Sequence, residues 1–487
     1  MTTFHLPVDR SAAIPLHRQI HEGLRTAILE GRLLPGRRIP STRALAEEIG
    51  VSRMPVLTAY EQLLHEGYLE GRTGSGTFVS LALPDDLHGS APPGAPVGRG
   101  RAFRAPRARD EGGLGPFRVS LPALDMFPRA AWARMVSRHA HALPAEEMAY
   151  GDPAGAVPLR VAIAEHVRSA RAVRCEAEQV LVVSGSQAAL RLAAAVLLRP
   201  GERVAIEEPG YPGARAALTA GGARVVPVQV DEQGLSVAAM RRRGRLRAAY
   251  VTPSHQYPLG MSMTAARRLA LLDWAARADT WVLEDDYDSE YRYVSRPLGA
   301  LQGMDSHERV IYTGSFSKVM FPALRVGYVI VPESLRRRFL DAREALDIFS
   351  PTLYQLALAE FLADGHFARH LRRMRARYRL RRDALLEGLD RHCEDLLSVP
   401  NADAGLHVTG LLPEGVDDAE VIRRMAPRGL TATPLSACYA GNQRRSGLLL
   451  GFGGSTERSL SAATRVLGAI LRESVGGGPE TVPAAIR

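Results

Sequence analysis

The stretch TGSFSKVM, Thr313–Met320, carries Lys318, the one lysine in a chain whose other 61 basic residues are arginine. Arginine stays protonated in proteins, whereas a lysine amine loses its proton when its pKa is lowered. The free amine then condenses with a carbonyl to form a Schiff base, a reaction closed to a guanidinium. A coding bias toward arginine would also remove lysines, so the neighbours must decide. Ser315 and Ser317 flank Lys318, and Arg325 follows seven residues later. A lysine for an aldehyde, with hydroxyls and a guanidinium for a phosphate, makes one chemical set.

Three other stretches extend it. VVSGSQAAL ends an apolar run and opens a helix at Gly185-Ser186-Gln187, where free backbone N–H groups suit a phosphate. WVLEDDYDSE runs into Asp285 and Tyr287. A carboxylate there can pair with a protonated pyridine nitrogen and keep a ring electron-withdrawing. EEPGYPGA places Tyr211 after another apolar run, where it can stack on a flat aromatic ligand. Each has a plainer explanation alone: small residues open many helices, acidic loops are solvated, and turn tyrosines pack on proline.

The elements that must position these residues alternate. VLVVSG, RVAIEE, AAYVTP, TWVLEDD, RVIYTGS and RVGYVIV are apolar runs separated by helical patterns. That alternation predicts an α/β domain with a mostly parallel sheet over residues 119–475. Residues 81–118, rich in Pro, Gly, Ala and Arg, predict a linker. Residues 476–487 predict a flexible tail. The 487 residues exceed one small core, and 46% hydrophobic against 23% charged content indicates a soluble globular chain. Cys175, Cys393 and Cys438 are too far apart for a disulfide framework or a metal motif. No apolar stretch is long enough to span a membrane, and MTTFHLPVDR lacks a signal core. The expected location is the cytoplasm.

Residues 1–80 predict three short helices and a hairpin. Leu16, Ile20, Leu24 and Ile28 form one stripe. STRALAEEIG offers Ser41 as N-cap and Gly50 as stop, and Ser52 precedes a third helix with Val56, Tyr60, Leu63 and Leu64 inward. YLEGRTGSGTFV reads as strand, glycine turn at Gly74-Ser75-Gly76, and strand. A helix-turn-helix with a wing would place Arg53 at base edges and Arg43 and Arg72 at phosphates. Nine Arg against eight Asp and Glu in this zone leave a plain helical bundle equally compatible with charge.

IPSTRALAEEIGVSRMPVLTAYEQLLHEGYLEGRTGSGTFV resembles the winged helix of the GntR-type bacterial regulators, differing at Met54-Pro55, where the family usually has polar residues. From about residue 117 the chain resembles the fold-type I aminotransferases, which bind pyridoxal 5'-phosphate (PLP). That resemblance implies Lys318 as the Schiff-base lysine, Asp285 as partner of the pyridine nitrogen and Tyr287 as partner of the ring hydroxyl. It implies Ser186, Gln187, Ser315, Ser317 and Arg325 around the phosphate, Tyr211 stacked on the ring, and Tyr150 of YGDPAGAVPLR reaching the neighbouring subunit of a homodimer. The combination resembles the MocR/PdxR-type regulators, implying promoter DNA as partner and PLP, alone or with an amine or amino acid, as effector. Two departures from the enzymes stand out. His255-Gln256-Tyr257 replaces their Asn before Pro-x-Gly, with Gln256 or His255 as substitute. Leu449 replaces the Arg that clamps a substrate carboxylate, with Arg444 and Arg445 just upstream. A working aminotransferase and a DNA-binding protein with a merely dimerising second domain remain the competing readings.

Overall fold

Apolar spacing shapes the first unit. In this computed structural model, which describes residues 6–72, 74–83, 114–294, 298–441 and 444–476, the chain divides into Met1–Arg109 and Asp110–Arg487. Helices α1 (Leu16–Leu29), α2 (Thr42–Glu48) and α3 (Arg53–His65) bury Ile20, Leu24, Ile28, Leu45, Val56, Tyr60 and Leu63 together. Ser41 caps α2 by accepting from the Ala44 N–H at 3.2 Å. The buried Tyr60 hydroxyl donates to the Pro40 carbonyl at 2.9 Å. Leu64, expected inward, is exposed: the inward stripe of α3 runs Val56, Ala59, Tyr60, Leu63, and the next position turns away. Strands β1 (Leu69–Arg72) and β2 (Gly76–Val79) pair antiparallel from Leu69↔Val79 to Arg72↔Gly76. Gly74 and Gly76 take positive φ at the turn, which glycine adopts without steric cost.

The second unit is built on β3 (Val180–Val183), β4 (Arg203–Glu208), β5 (Arg224–Asp231), β6 (Gly234–Leu235), β7 (Ala248–Val251), β8 (Trp281–Asp286), β9 (Val310–Ser315) and β10 (Gly327–Ile330). Their order is β3-β10-β9-β8-β7-β4-β5-β6. The pairs β4–β5, β4–β7, β7–β8 and β8–β9 are parallel, while β10 runs antiparallel to both its neighbours. Strand residues alternate between two cores. Leu181 and Val183 pack with the helices Ser186–Leu197 and Glu333–Asp347, whereas Val180 and Val182 pack with Val157–Arg171 and Thr352–Ala363. Helices on both faces explain why β3, β7 and β8 are buried along their whole length. A second sheet, β11 (His407–Leu411), β12 (Thr433–Pro434) and β13 (Gly447–Gly451), is antiparallel in the order β11-β13-β12.

The boundaries expected for the linker need correcting. Leu83 is buried in the first unit's core. Phe117 is fully buried in the second, its carbonyl accepting from the Gly451 N–H at 2.8 Å. The expected linker therefore contributes to both cores at its ends, and residues 84–113 between them lie outside the described residues. The last helix runs Glu457–Gly476, and the remainder of the expected tail also lies outside them.

One buried ion pair ties the sheet to its helical cover. Arg171 meets Asp286 at 2.7 Å, each side chain 3% exposed. Arg171 also donates to Ser254 Oγ at 2.6 Å, and the Tyr312 hydroxyl donates to Asp286 at 2.7 Å. Burial alone would raise the Asp286 pKa, but Arg171 and these hydrogen bonds outweigh it and hold the carboxyl below its usual range. Removing one partner leaves a buried charge unpaired. Arg171→Ala should cost roughly 3–5 kcal/mol of unfolding free energy, measured by denaturant titration. Adding Asp286→Asn should recover part of that loss; an equal loss in the double variant would contradict the ion-pair account.

Candidate functional site

The sheet gathers the sequence-predicted residues at one edge. Ser186 and Gln187 follow β3, Tyr211 follows β4, Gln256 follows β7, Asp285 lies at the end of β8 with Tyr287 just beyond it, and Ser315 ends β9 with Ser317 and Lys318 just beyond it. In open α/β sheets this carboxyl edge is where ligands bind. Arg325 joins it because β10 runs the other way, its Gly327 lying opposite both Ser315 and Val183.

Three glycines bring that corner together. A Cβ on Gly327 would fall 2.9 Å from Gly185 Cα, one on Gly314 2.4 Å from the Tyr328 ring, and one on Gly185 3.2 Å from the Arg325 guanidinium. Gly185 has φ +91° and starts the helix Ser186–Leu197. Arg325 itself sits at φ +54° and donates to the Ser184 carbonyl at 2.6 Å. Ser315 Oγ lies 3.1 Å from Ser317 Oγ. Helix N–H groups, a guanidinium and two hydroxyls thus converge, a donor set that fits a phosphate.

Asp285 accepts from the Tyr250 hydroxyl at 2.8 Å and is almost enclosed. Burial raises its pKa to about 6; the Asp286 charge adds to this, while bonds from Tyr250 and Thr313 and the charge on Lys318 work against it. Such a carboxylate suits a cationic ring nitrogen. Lys318 Nζ donates to the Ser120 carbonyl at 3.1 Å. Ser120 holds φ +71° in the segment whose Phe117 is anchored beside β13. Tyr211 receives a hydrogen bond from Gln187 at 3.3 Å and lies edge-on to Tyr257. The residues present therefore fit PLP: an amine, a buried acid, a phosphate cradle and an aromatic wall.

Gln256 is a correction. Its amide is turned away from Tyr287, donating to the carbonyls of Pro209 at 2.9 Å and Tyr257 at 2.6 Å, and its oxygen accepts from Leu259 N–H at 3.0 Å. His255 meets Tyr287 instead, Nδ1 to hydroxyl at 2.9 Å. Leu449 is fully buried within β13. Arg444 and Arg445 line a cleft of about 820 Å³ with Glu208, Arg243 and Tyr439. Tyr150 is 84% exposed, its ring near Phe349. Sequence reading missed Tyr250, the Ser120 carbonyl and Glu207, a buried carboxyl that burial pushes up to about 7. A polar residue inside an apolar strand was the available signal for Tyr250 and Glu207; nothing local marked Ser120.

In the first unit, Ser52 is at the N-cap position of α3 and Arg53 is its first residue, exposed and donating to Thr42 Oγ1 at 3.2 Å. Arg43 is exposed on α2. Arg72 lies 4.5 Å over the Phe78 ring and bonds Glu70 at 3.0 Å, next to the turn at Gly74. Met54 is 65% exposed beside Arg53.

Two family descriptions match this chain: "Bacterial regulatory proteins, gntR family" over residues 16–79 and "Aminotransferase class I and II" over residues 125–463. The probable rhizopine catabolism regulatory protein MocR of Rhizobium meliloti is 40% identical over 461 residues, covering 93% of each chain. The chain belongs to the MocR family of GntR-type transcriptional regulators. A second relative in the MocR family, the HTH-type pyridoxine biosynthesis transcriptional regulator PdxR of Corynebacterium glutamicum, is 36% identical, covering 91% of this chain and 93% of its own. Among solved structures, α-aminoadipate aminotransferase LysN from Thermus thermophilus, complexed with N-(5'-phosphopyridoxyl)-L-leucine, matches with a TM-score of 0.70 at 29% identity, covering 76% of this chain and 94% of that one. Kynurenine aminotransferase of Pyrococcus horikoshii, solved with PMP, matches with a TM-score of 0.69 at 25% identity, over 73% and 90%. Among the described residues of this MocR-family chain, no helix is long and apolar enough to cross a membrane, and no group of three or more His, Cys, Asp or Glu could hold a metal ion.

The raised Asp285 pKa has a measurable consequence. In protein freed of cofactor, folded Asp285 keeps a proton that the unfolded chain releases, so its contribution to stability falls as pH rises from the ordinary carboxylate range to about 6. The full effect is at most about 3 kcal/mol. Cofactor-free Asp285→Asn should therefore be the more stable protein above pH 6, with the difference vanishing near pH 4, by thermal melts across pH. A difference independent of pH would contradict this.

Proposed function

We propose that this regulator holds PLP on Lys318 and that the cofactor, alone or with an amine or amino acid, changes its affinity for promoter DNA. The observation that carries this reading is the sole lysine of the chain, set just past the end of β9, the strand paired with the one that carries the nearly enclosed Asp285, and next to a corner whose donors suit a phosphate. PLP supplies an aldehyde and an electron-withdrawing ring. Lys318, whose Nζ donates to the Ser120 carbonyl at 3.1 Å, would supply the amine that holds that aldehyde, with release of water. Asp285 keeps the ring nitrogen protonated, Tyr211 covers the ring, and Ser186, Gln187, Ser315, Ser317 and Arg325 hold the phosphate. Tyr150 reaches a second copy of the chain in a homodimer, a reading supported by its exposure. The protein acts in the cytoplasm, at double-stranded promoter DNA.

Sensing is favoured over turnover by a buried Leu449 where an enzyme's carboxylate clamp would stand. Without a clamp on a rigid strand, an amino acid is not oriented for repeated proton transfer. Arg444 and Arg445, on the cleft rim, can still attract its carboxylate. The competing reading, a working aminotransferase, draws on the intact Lys318, Asp285 and Tyr287.

On DNA, α3 enters the major groove with Arg53 at base edges, while Arg43, Ser52 and the Arg72–Gly74 wing hold backbone phosphates. The exposed Met54 offers an apolar contact for a thymine methyl. A ligand with unequal affinity for two conformations shifts DNA binding without chemistry. Titrating PLP and candidate amines against the protein on its own upstream DNA should therefore change the apparent affinity by roughly 5- to 150-fold, about 1–3 kcal/mol of coupling. Amino transfer to common 2-oxo acids, assayed in parallel, should be slow or absent. Rapid transfer with DNA binding indifferent to every ligand would make the enzyme reading the better one.

A further inference from the structure

Beside the cofactor contacts lies an enclosed hydrogen-bond chain that the reading above does not use. His255 Nδ1 is 2.9 Å from the Tyr287 hydroxyl and 3.0 and 3.2 Å from the two carboxylate oxygens of Asp288. His255 is 3% exposed and Asp288 1%. The ring has little freedom to turn. Gly405, at φ +79°, would with a Cβ place it 2.1 Å from His255 Cε1 and 2.7 Å from Asp288 Oδ2. His407 lies 5.4 Å away, centroid to centroid, on the flanking strand β11.

Hydrogen counting fixes the direction of this chain. A carboxylate only accepts, so the nitrogen facing Asp288 carries a hydrogen. That hydrogen is shared between Asp288 and the Tyr287 oxygen, whether or not Nε2 is also protonated. Tyr287 therefore accepts at this contact, and its own proton must point elsewhere. Tyr287 is half-buried where His255 and Asp288 are enclosed, and it stands two residues after Asp285 at the carboxyl edge of the sheet.

We infer that His255 and Asp288 are positioning residues that commit Tyr287 to donate its proton to the ring oxygen of the bound cofactor. This rests on the PLP reading above. Donation from Tyr287 favours the ionised ring oxygen, so the loaded protein should lose its titrating proton at lower pH. The charged and titratable groups facing His255 and Tyr287 are Asp288 and Asp285 from the end of β8, Tyr257 from the loop of His255, Glu207 from β4 and His407 from β11. Burial, reinforced by neighbouring positive charge, pulls the His407 pKa down to about 4.

The test uses full-length protein reconstituted with PLP and reads the pH midpoint of its visible absorbance. Asp288→Asn replaces an obligate acceptor with an amide that can also donate, so it no longer dictates which His255 nitrogen carries hydrogen. The midpoint should rise by about one unit, a tenfold change in proton affinity, and Tyr287→Phe should raise it similarly. In the double variant the shifts should not add, because both remove one interaction. His255→Asn, which retains an N–H donor, should stay near wild type. Loss of the Asp288 charge acting only through space predicts the opposite sign, a lower midpoint. A lowered or unchanged midpoint in Asp288→Asn, or additive shifts, would overturn this inference alone. Wild-type protein with no cofactor absorbance would overturn the PLP reading and this inference with it.

Discussion

Asp285 is a carboxyl group buried at the end of an entirely enclosed strand, and the arrangement around it follows from that burial. An unpaired carboxylate in such a place is costly, as its pKa near 6 records. The fold offsets this in part through the Tyr250 hydroxyl and the Lys318 charge. A positive ring nitrogen would offset more. A cationic ligand at this site would relieve that charge, and its binding would then be coupled to the stability of the domain.

The same logic extends outward along the strand. Asp286 points to the opposite face and is compensated within the protein by Arg171, so it needs no ligand. Asp288 is compensated by His255. Three acids within four residues thus have three different partners within the chain: the Tyr250 hydroxyl for Asp285, Arg171 for Asp286 and His255 for Asp288. Their alternation follows the strand period of two, which sends Asp285 and Asp286 to opposite faces.

Much of this arrangement was legible in the sequence. Six apolar runs correspond to β3, β4, β7, β8, β9 and β10, and Lys318, Asp285, Tyr211 and Ser186 stand at the strand ends where the motifs put them. What was not legible depended on contacts between distant segments. The antiparallel course of β10, which brings Arg325 to the corner, has no local signature. Gln256 and His255 were equivalent candidates in sequence; Pro209 and Tyr257 occupy the first and leave the second to Tyr287. Phe117 fell inside the expected linker because its neighbourhood is rich in Pro and Arg, although the aminotransferase resemblance begins at about that residue. Leu64 was misplaced because adjacent leucines on a helix cannot both lie on a narrow stripe.

Borohydride reduction of the PLP-treated protein followed by peptide mapping tests the central claim most directly, because this chain has a single side-chain amine of the required kind. A pyridoxyl group on Lys318, lost in Lys318→Ala and not regained in Lys318→Arg, is the predicted result. A pyridoxyl group at another position, or none on the folded protein, would contradict the account.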